Sequence, residues 1–181
     1  KRYVVEYMVQ GYREGITPNP DVMCNKEVKF GFFLEKALKL GADYVATGHY
    51  VKLENGKLHE AKDKNKDQSY FLWTLTQKQL KYCLFPIGDY TKPEVRMLAK
   101  KFDLPNWDKK DSQGVCFVGD LDMNEFLKEY IKPKVGLVKN KKGGIIGQHN
   151  GTQYFTIGQR HGFEIYKNDG PYYVTSKNTK N

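Results

Sequence analysis

The sequence predicts an α/β domain followed by a small β-rich domain, and three observations carry that prediction. An amphipathic helical stripe over Glu27–Leu40 gives way at once to the β-prone run Tyr44-Val45-Ala46-Thr47, which ends in Gly48-His49. Helix, buried strand, then glycine is the rhythm of a layered α/β sheet. Helix-start spelling recurs downstream at Thr76-x-x-Gln79, Thr91-x-x-Glu94 and Asp122-x-x-Glu125. After Pro133 the character changes. Gly143-Gly144, Gly147 and Gly151 punctuate short runs such as Gln153–Ile157 and Tyr172–Thr175, which read as β-hairpins. The boundary is set near Gly119, giving domains 1–118 and 119–181.

Each element has its local reason. Arg2–Tyr12 places Val5, Met8 and Val9 at helical spacing, and Gly15 breaks that helix. Thr17-Pro18-Asn19-Pro20-Asp21 is neither helix nor central strand, because two prolines fix the backbone. In the next helix Val28, Phe33, Leu34, Ala37 and Leu38 form the stripe and Gly41 ends it. The Thr76 box opens a short helix reaching to near Leu84, before Pro86. The Thr91 box leads through Val95, Leu98 and Ala99 to Phe102. The Asp122 box leads through Phe126, Leu127 and Tyr130 to a stop at Pro133. Between the last two, Gly114–Val118 reads as a strand or extended loop.

Composition bounds the class. The chain has 181 residues, 39% hydrophobic and 14% aromatic, which excludes a disordered or fibrous polymer. No apolar run approaches the ~20 residues that span a bilayer, and Lys1–Tyr12 does not spell a signal peptide. A soluble cytoplasmic protein is expected, with no membrane partner. Lys and Arg number 30 against 21 Asp and Glu, a net charge of +9. The excess is spread over both domains and suits either a broad polyanion-facing surface or a lysine-rich soluble one. Three separated cysteines, Cys24, Cys83 and Cys116, make no disulfide framework and no C-x-x-C pair. A structural zinc site is not expected.

Several segments could carry chemistry. In Asn19-Pro20-Asp21-Val22-Met23-Cys24 a helical turn starting at Asp21 would put carboxylate and thiol on one face. A helix N-terminus would then favour the thiolate. An Asp cap followed by a buried Cys fits the same spacing, and spacing alone favours it. Lys109-Lys110-Asp111-Ser112-Gln113-Gly114-Val115-Cys116 sets two lysines and a flexible turn before a thiol, which could lower its pKa or simply lead into a core strand. In Lys64–Phe71, Lys66, Asp67 and Gln68 could hold phosphates or base edges, or Asp67 could cap the following helix. Cys83, within Tyr82-Cys83-Leu84-Phe85, reads as core. Gly48 and His49 sit at a strand's carboxyl end, where ligands gather in α/β sheets. His59, His149 and His161 read as surface or packing residues.

Taken together, these segments resemble the tRNA-specific 2-thiouridylases of bacteria and mitochondria. The matching stretches are 15–30, 41–50, 65–72, 111–119 (Asp-Ser-Gln-Gly-Val-Cys-Phe-Val-Gly) and 156–162 (Thr-Ile-Gly-Gln-Arg-His-Gly), in family order across nearly the whole chain. The resemblance implies an ATP-pyrophosphatase-type parallel-sheet domain over 1–118. Over 119–181 it implies a small tRNA-binding domain with the start of a C-terminal β-barrel. It implies that ATP, with Mg²⁺, adenylates the C2 oxygen of the wobble uridine in tRNAs for Lys, Glu and Gln. Persulfide sulfur from a donor protein, a cysteine desulfurase or sulfur-relay protein, then gives 2-thiouridine, AMP and pyrophosphate.

Carried over by motif, Cys116 resembles the persulfide-bearing cysteine and Cys24 the nucleophile that resolves it, the two able to end in a disulfide. Asp21 resembles the acid/base residue, and Asn19, Pro20 and Asp21 the lining of the target base. Gly48 matches an ATP-contacting glycine, His49 a tRNA contact, and Lys66, Asp67 and Gln68 a tRNA-contacting loop. The family's Ser-Gly-Gly-x-Asp-Ser pyrophosphate loop does not occur here. A central fragment, inactive on its own, is therefore expected. Two rivals stay open: a ligase of the same nucleotide-binding class, akin to argininosuccinate synthase, and an RNA-binding module whose cysteines are structural.

Overall fold

A computed structural model describes residues 2–109, 123–167 and 170–179. The chain forms two compact units. A central unit comprises Asp21–Gln113, and a terminal unit combines the described residues of Lys1–Pro20 and Gly114–Asn181.

In the central unit the chain enters through α2 (Pro20–Met23) and winds directly into a π-helix, Cys24–Phe33, then into α3 (Leu34–Lys39). The sequence predicts an α-helix from Glu27 to Leu40. The wider coil arises because Gly31 permits it: a Cβ there would lie 2.8 Å from the carbonyl oxygen of Lys26, five residues back. At the far end the N–H of Leu34 donates to the carbonyl of Lys29, the five-residue step of a π-turn. Gly41, at φ 92°, ends α3 as expected, with the N–H of Ala42 reaching back to Ala37 at 3.0 Å.

Strand β1 (Val45–Ala46) pairs in parallel with β4 (Cys83–Leu84), Val45 opposite Cys83. This pairing shortens the helix that the Thr76 box begins. Helix α4 spans only Gln77–Leu80, because Cys83 and Leu84 are drawn out to satisfy the backbone of β1. Both reciprocal hydrogen bonds of the Thr76–Gln79 capping box are present, and so are those of the Thr91–Glu94 box that opens α5 (Lys92–Lys101). A hairpin joins β2 (Lys52–Glu54) to β3 (Lys57–His59) through Asn55 and Gly56, both at positive φ as a type I′ turn requires. Phe30, Leu34, Val45, Val51, Leu72 and Cys83 close the core.

In the terminal unit, α1 (Arg2–Arg13) buries Val4, Met8 and Val9. Met8 and Val9 meet Leu127 of α6 (Met123–Lys128) and Ile131. Arg13 ties the end of α1 to the carbonyl of Tyr130 at 2.9 Å. A three-stranded antiparallel sheet follows in the order β5 (Gly136–Lys139), β6 (Ile145–His149), β7 (Glu164–Ile165). The hairpin is thus β5–β6, turned by Asn140, whose side chain accepts from the N–H groups of Lys142 and Gly144.

The run Gln153–Ile157 is not a hairpin strand. Thr152–Tyr154 is a 3₁₀ turn that lets the Tyr154 hydroxyl donate to the Ile131 carbonyl. Tyr172–Thr175 is extended, and Val174 exchanges backbone bonds with Gly158 and Gln159. Beside it a groove of about 1160 Å³ is lined by Lys139, Lys141, Lys142, Lys177, Tyr172 and Tyr173, among others. The Asp122 box and the Gly114–Val118 run lie outside the described residues. No helix among the described residues is long and apolar enough to cross a membrane.

Candidate functional site

Asp21 opens the first turn of α2 and Cys24 the first turn of the π-helix, so one continuous helical segment carries both at a separation of three residues. They fall on one side of it, as the spacing predicts. Cys24 is buried. It sits fully one turn inside the helix, because the coil already begins at Pro20. The first-turn N–H groups of that end therefore lie before the thiol and not at the thiol itself. Asp21 is half-buried, and loss of solvent raises its carboxyl pKa while the nearby charge of Lys29 pulls it back.

The π-turn determines what stands above Cys24. Its five-residue step brings Lys29 round to the Cys24 side, and the next residue, Phe30, points into the core. Phe30 lies 5.8 Å, centroid to centroid, from the imidazole of His49, with Phe85 completing an aromatic surround 6.3 Å from the same ring. Burial by these rings, with Lys29 nearby, pushes the His49 pKa down to about 4. The imidazole is thus neutral at pH 7, and its Nδ1 is hydrogen-bonded to Thr47 Oγ1 at 2.9 Å. His49 leaves the carboxyl end of β1 just after Gly48, where an added Cβ would meet no atom within 4 Å. The Gly48 backbone therefore faces open space that a ligand can approach closely.

The Lys66–Gln68 loop is pinned beside this strand end. Gln68 accepts from the Tyr50 N–H through Oε1 at 3.0 Å, while its own N–H donates to the Tyr50 carbonyl at 2.8 Å. Asp67 accepts from the Ala61 N–H at 2.7 Å and from the Ser69 hydroxyl at 2.7 Å, just before the 3₁₀ turn Ser69–Phe71. Asn25, buried beside Cys24, donates to the Phe71 carbonyl at 3.3 Å and ties the π-helix to that turn. Asp21, Cys24, Gly48, His49 and the loop are all carried by the central unit.

Asn19 and Pro20 belong to the terminal unit, where Asn19 is exposed between the buried Pro18 and Pro20. Cys83 is core as expected, its thiol donating to the Gln79 carbonyl and its pKa raised by burial to about 11. Cys116 and the 111–119 stretch lie outside the described residues. Among the described residues no three His, Cys, Asp or Glu gather to hold a metal. Sequence reasoning missed Lys29, Phe30 and Phe85. Phe85 had no local signal, while Lys29 would have shown only to a five-residue period.

Comparison with known proteins decides the family. Residues 1–120 match the model described as the tRNA methyl transferase HUP domain, and residues 124–181 that described as the tRNA methyl transferase PRC-barrel domain. Among curated relatives, tRNA-specific 2-thiouridylase MnmA of Staphylococcus saprophyticus is 51% identical over 180 residues, covering 97% of this chain and 49% of the relative. The chain belongs to the tRNA-specific 2-thiouridylase family. The protein of the same name from Akkermansia muciniphila is 46% identical over 183 residues, 98% of this chain and 51% of the relative. That from Bacillus cytotoxicus is 48% identical over 181 residues, 98% of this chain and 49% of the relative. The chain spans about half the length of these thiouridylase relatives. The HUP match over residues 1–120 gives the fold class, α/β, of which the parallel β1–β4 pair is part.

Proposed function

We propose that the protein to which this chain belongs converts the wobble uridine of tRNAs for Lys, Glu and Gln to 2-thiouridine, using ATP and persulfide sulfur. The observation that carries the reading is the Asp21–Cys24 pair on one helical side, with the charge of Lys29 felt by both Asp21 and His49. A carboxylate beside a thiol, backed by a neutral imidazole, suits a reaction that must move a proton and form a sulfur bond in turn.

The uridine C2 oxygen is a poor leaving group until it is joined to AMP. The terminal sulfur of a Cys116 persulfide then attacks C2 and AMP departs. The Cys24 thiolate next attacks the Cys116 sulfur and breaks the S–S bond. This releases 2-thiouridine and leaves a Cys24–Cys116 disulfide for a cellular thiol to reduce. In this reading Asp21 exchanges the proton of the thiols, and Asn19, Pro20 and Asp21 line the base.

Gly48 is where the adenine nucleotide approaches, since a backbone with open space before it admits a close contact. ATP brings its Mg²⁺ with it, bound to the phosphates. His49 and the Lys66–Gln68 loop face the RNA, with Asp67 and Gln68 serving chiefly to brace the loop. We assign residues 1–118 to the catalytic domain and 119–181 to tRNA binding. The lysines and tyrosines of the groove beside β5 support that assignment, as backbone charge and base stacking both use such side chains.

The test expresses the complete reading frame in cells lacking their own 2-thiouridylase and quantifies 2-thiouridine in digested tRNA by mass spectrometry. Wild type should restore the nucleoside, and Cys116→Ser and Cys24→Ser should not. Full restoration by Cys116→Ser would sink the persulfide role. No restoration by soluble wild type would sink the function.

A further inference from the structure

We propose that Lys29 is the cation that receives a phosphate group brought beside Asp21 and His49, an inference that rests on the thiouridylase reading above. Three observations lead to it. First, the π-register sets Lys29 one turn above Cys24 and on the same side, a position that an α-helix of this sequence would not give it. Second, Phe30 is buried against His49 and Phe85, so the rotation of the coil at its neighbour Lys29 is fixed by the core. Third, the Lys29 side chain is exposed, forms no ion pair among the described residues, and its charge acts on both Asp21 and His49.

A half-buried carboxylate next to a base pocket would repel any phosphate that accompanies the base. An extruded nucleotide always carries its phosphates with it, so a compensating cation is required at this point. Lys29 is placed to be that cation, and a lysine serves phosphate as a mobile point charge. The phosphate has two possible sources, the RNA backbone flanking the uridine and the adenylyl phosphate on its C2 oxygen.

The experiment uses the complete reading frame as wild type, Lys29→Gln and Lys29→Arg, with Lys57→Gln of the β2–β3 hairpin as a distant charge control. Lys29 is exposed, so the melting temperature of each variant should match wild type. In the first arm, binding of unmodified tRNA is measured without ATP across a salt series. If the backbone is the source, Lys29→Gln lowers the slope of log K against log salt by about one phosphate's share, ~0.7–0.9. It also weakens binding several-fold, while Lys29→Arg stays near wild type.

In the second arm, pyrophosphate release is followed with tRNA saturating. If the adenylyl group is the source, the slope is unchanged but release falls about tenfold in Lys29→Gln and recovers in Lys29→Arg. Lys29→Gln equal to wild type in both arms, or no more impaired than Lys57→Gln, overturns the inference and leaves the thiouridylase reading intact. Wild type that neither binds tRNA nor releases pyrophosphate overturns both.

Discussion

The imidazole of His49 is held 5.8 Å from the ring of Phe30, and Phe30 in turn sits on the π-helix that begins at Cys24. The strand end where a nucleotide would arrive and the helix that carries the thiol are thus joined through one aromatic contact. Substitutions on either side should be felt on the other.

The first expectation concerns acid. His49 is protonated in the folded state only near pH 4, against 6.5 for the free side chain, so on acidification the unfolded chain takes up the proton first. Its contribution to stability is complete above about pH 6.5 and is lost as pH falls toward 4, by up to about 3 kcal/mol. Asp21 runs the other way, because burial raises its carboxyl pKa and its contribution fades as pH rises through the folded value. Urea midpoints at pH 7.5 and pH 5 should differ markedly in the wild type. They should differ less in His49→Gln, which keeps Asp21 but removes the imidazole.

Gly31→Ala should damage the π-register. The new methyl would press on the Lys26 carbonyl at 2.8 Å, and backbone on both sides cannot yield cheaply. A loss of about 1–3 kcal/mol is expected. Thiolation should drop by more than the lost folded fraction accounts for, since Lys29 and Cys24 would rotate apart. Activity that simply tracks the folded fraction would show that the register has no functional role.

The cysteines should separate cleanly. Cys83, buried and bonded to the Gln79 carbonyl, is expected to resist alkylation below pH 9. Cys83→Ala should melt earlier yet keep 2-thiouridine formation in cells, whereas Cys24→Ser should fold normally and lose it. Alkylation of Cys83 ahead of Cys24, mapped by peptide mass spectrometry, would contradict the assignment.

Asp67→Ala removes the acceptor for the Ala61 N–H and the Ser69 hydroxyl together. About 1–3 kcal/mol of stability should go with it, because the Ala61 donor is left buried without its partner. Asp67→Asn retains one acceptor oxygen and should lose less. Equal melting temperatures for both variants and wild type would place Asp67 outside the fold's support and leave only a role toward RNA.

Much of this was legible beforehand. The Thr76 and Thr91 boxes spell out their own hydrogen bonds, and Gly41 ends its helix where the pattern stops. Cys83 declared itself core through its apolar neighbours, but not as a strand, since its pairing with Val45 is a long-range contact with no local signature. The π-helix was hidden for a related reason. Its apolar stripe reads acceptably at 3.6 residues per turn, and only the contact of Gly31 with Lys26 reveals the wider coil. The β-prone residues of Gln153–Ile157 suggest a hairpin there, whereas the Asn140 side chain turns the chain earlier, at β5–β6. The Lys66–Gln68 loop folds back onto Tyr50, which spacing cannot express.

The pair of hydrogen bonds between Gln68 and the Tyr50 backbone has a mechanical consequence. Fastened to both the N–H and the carbonyl of one residue, the loop cannot shift without moving Tyr50. A displacement of the loop is therefore carried into the backbone of Tyr50, next to His49.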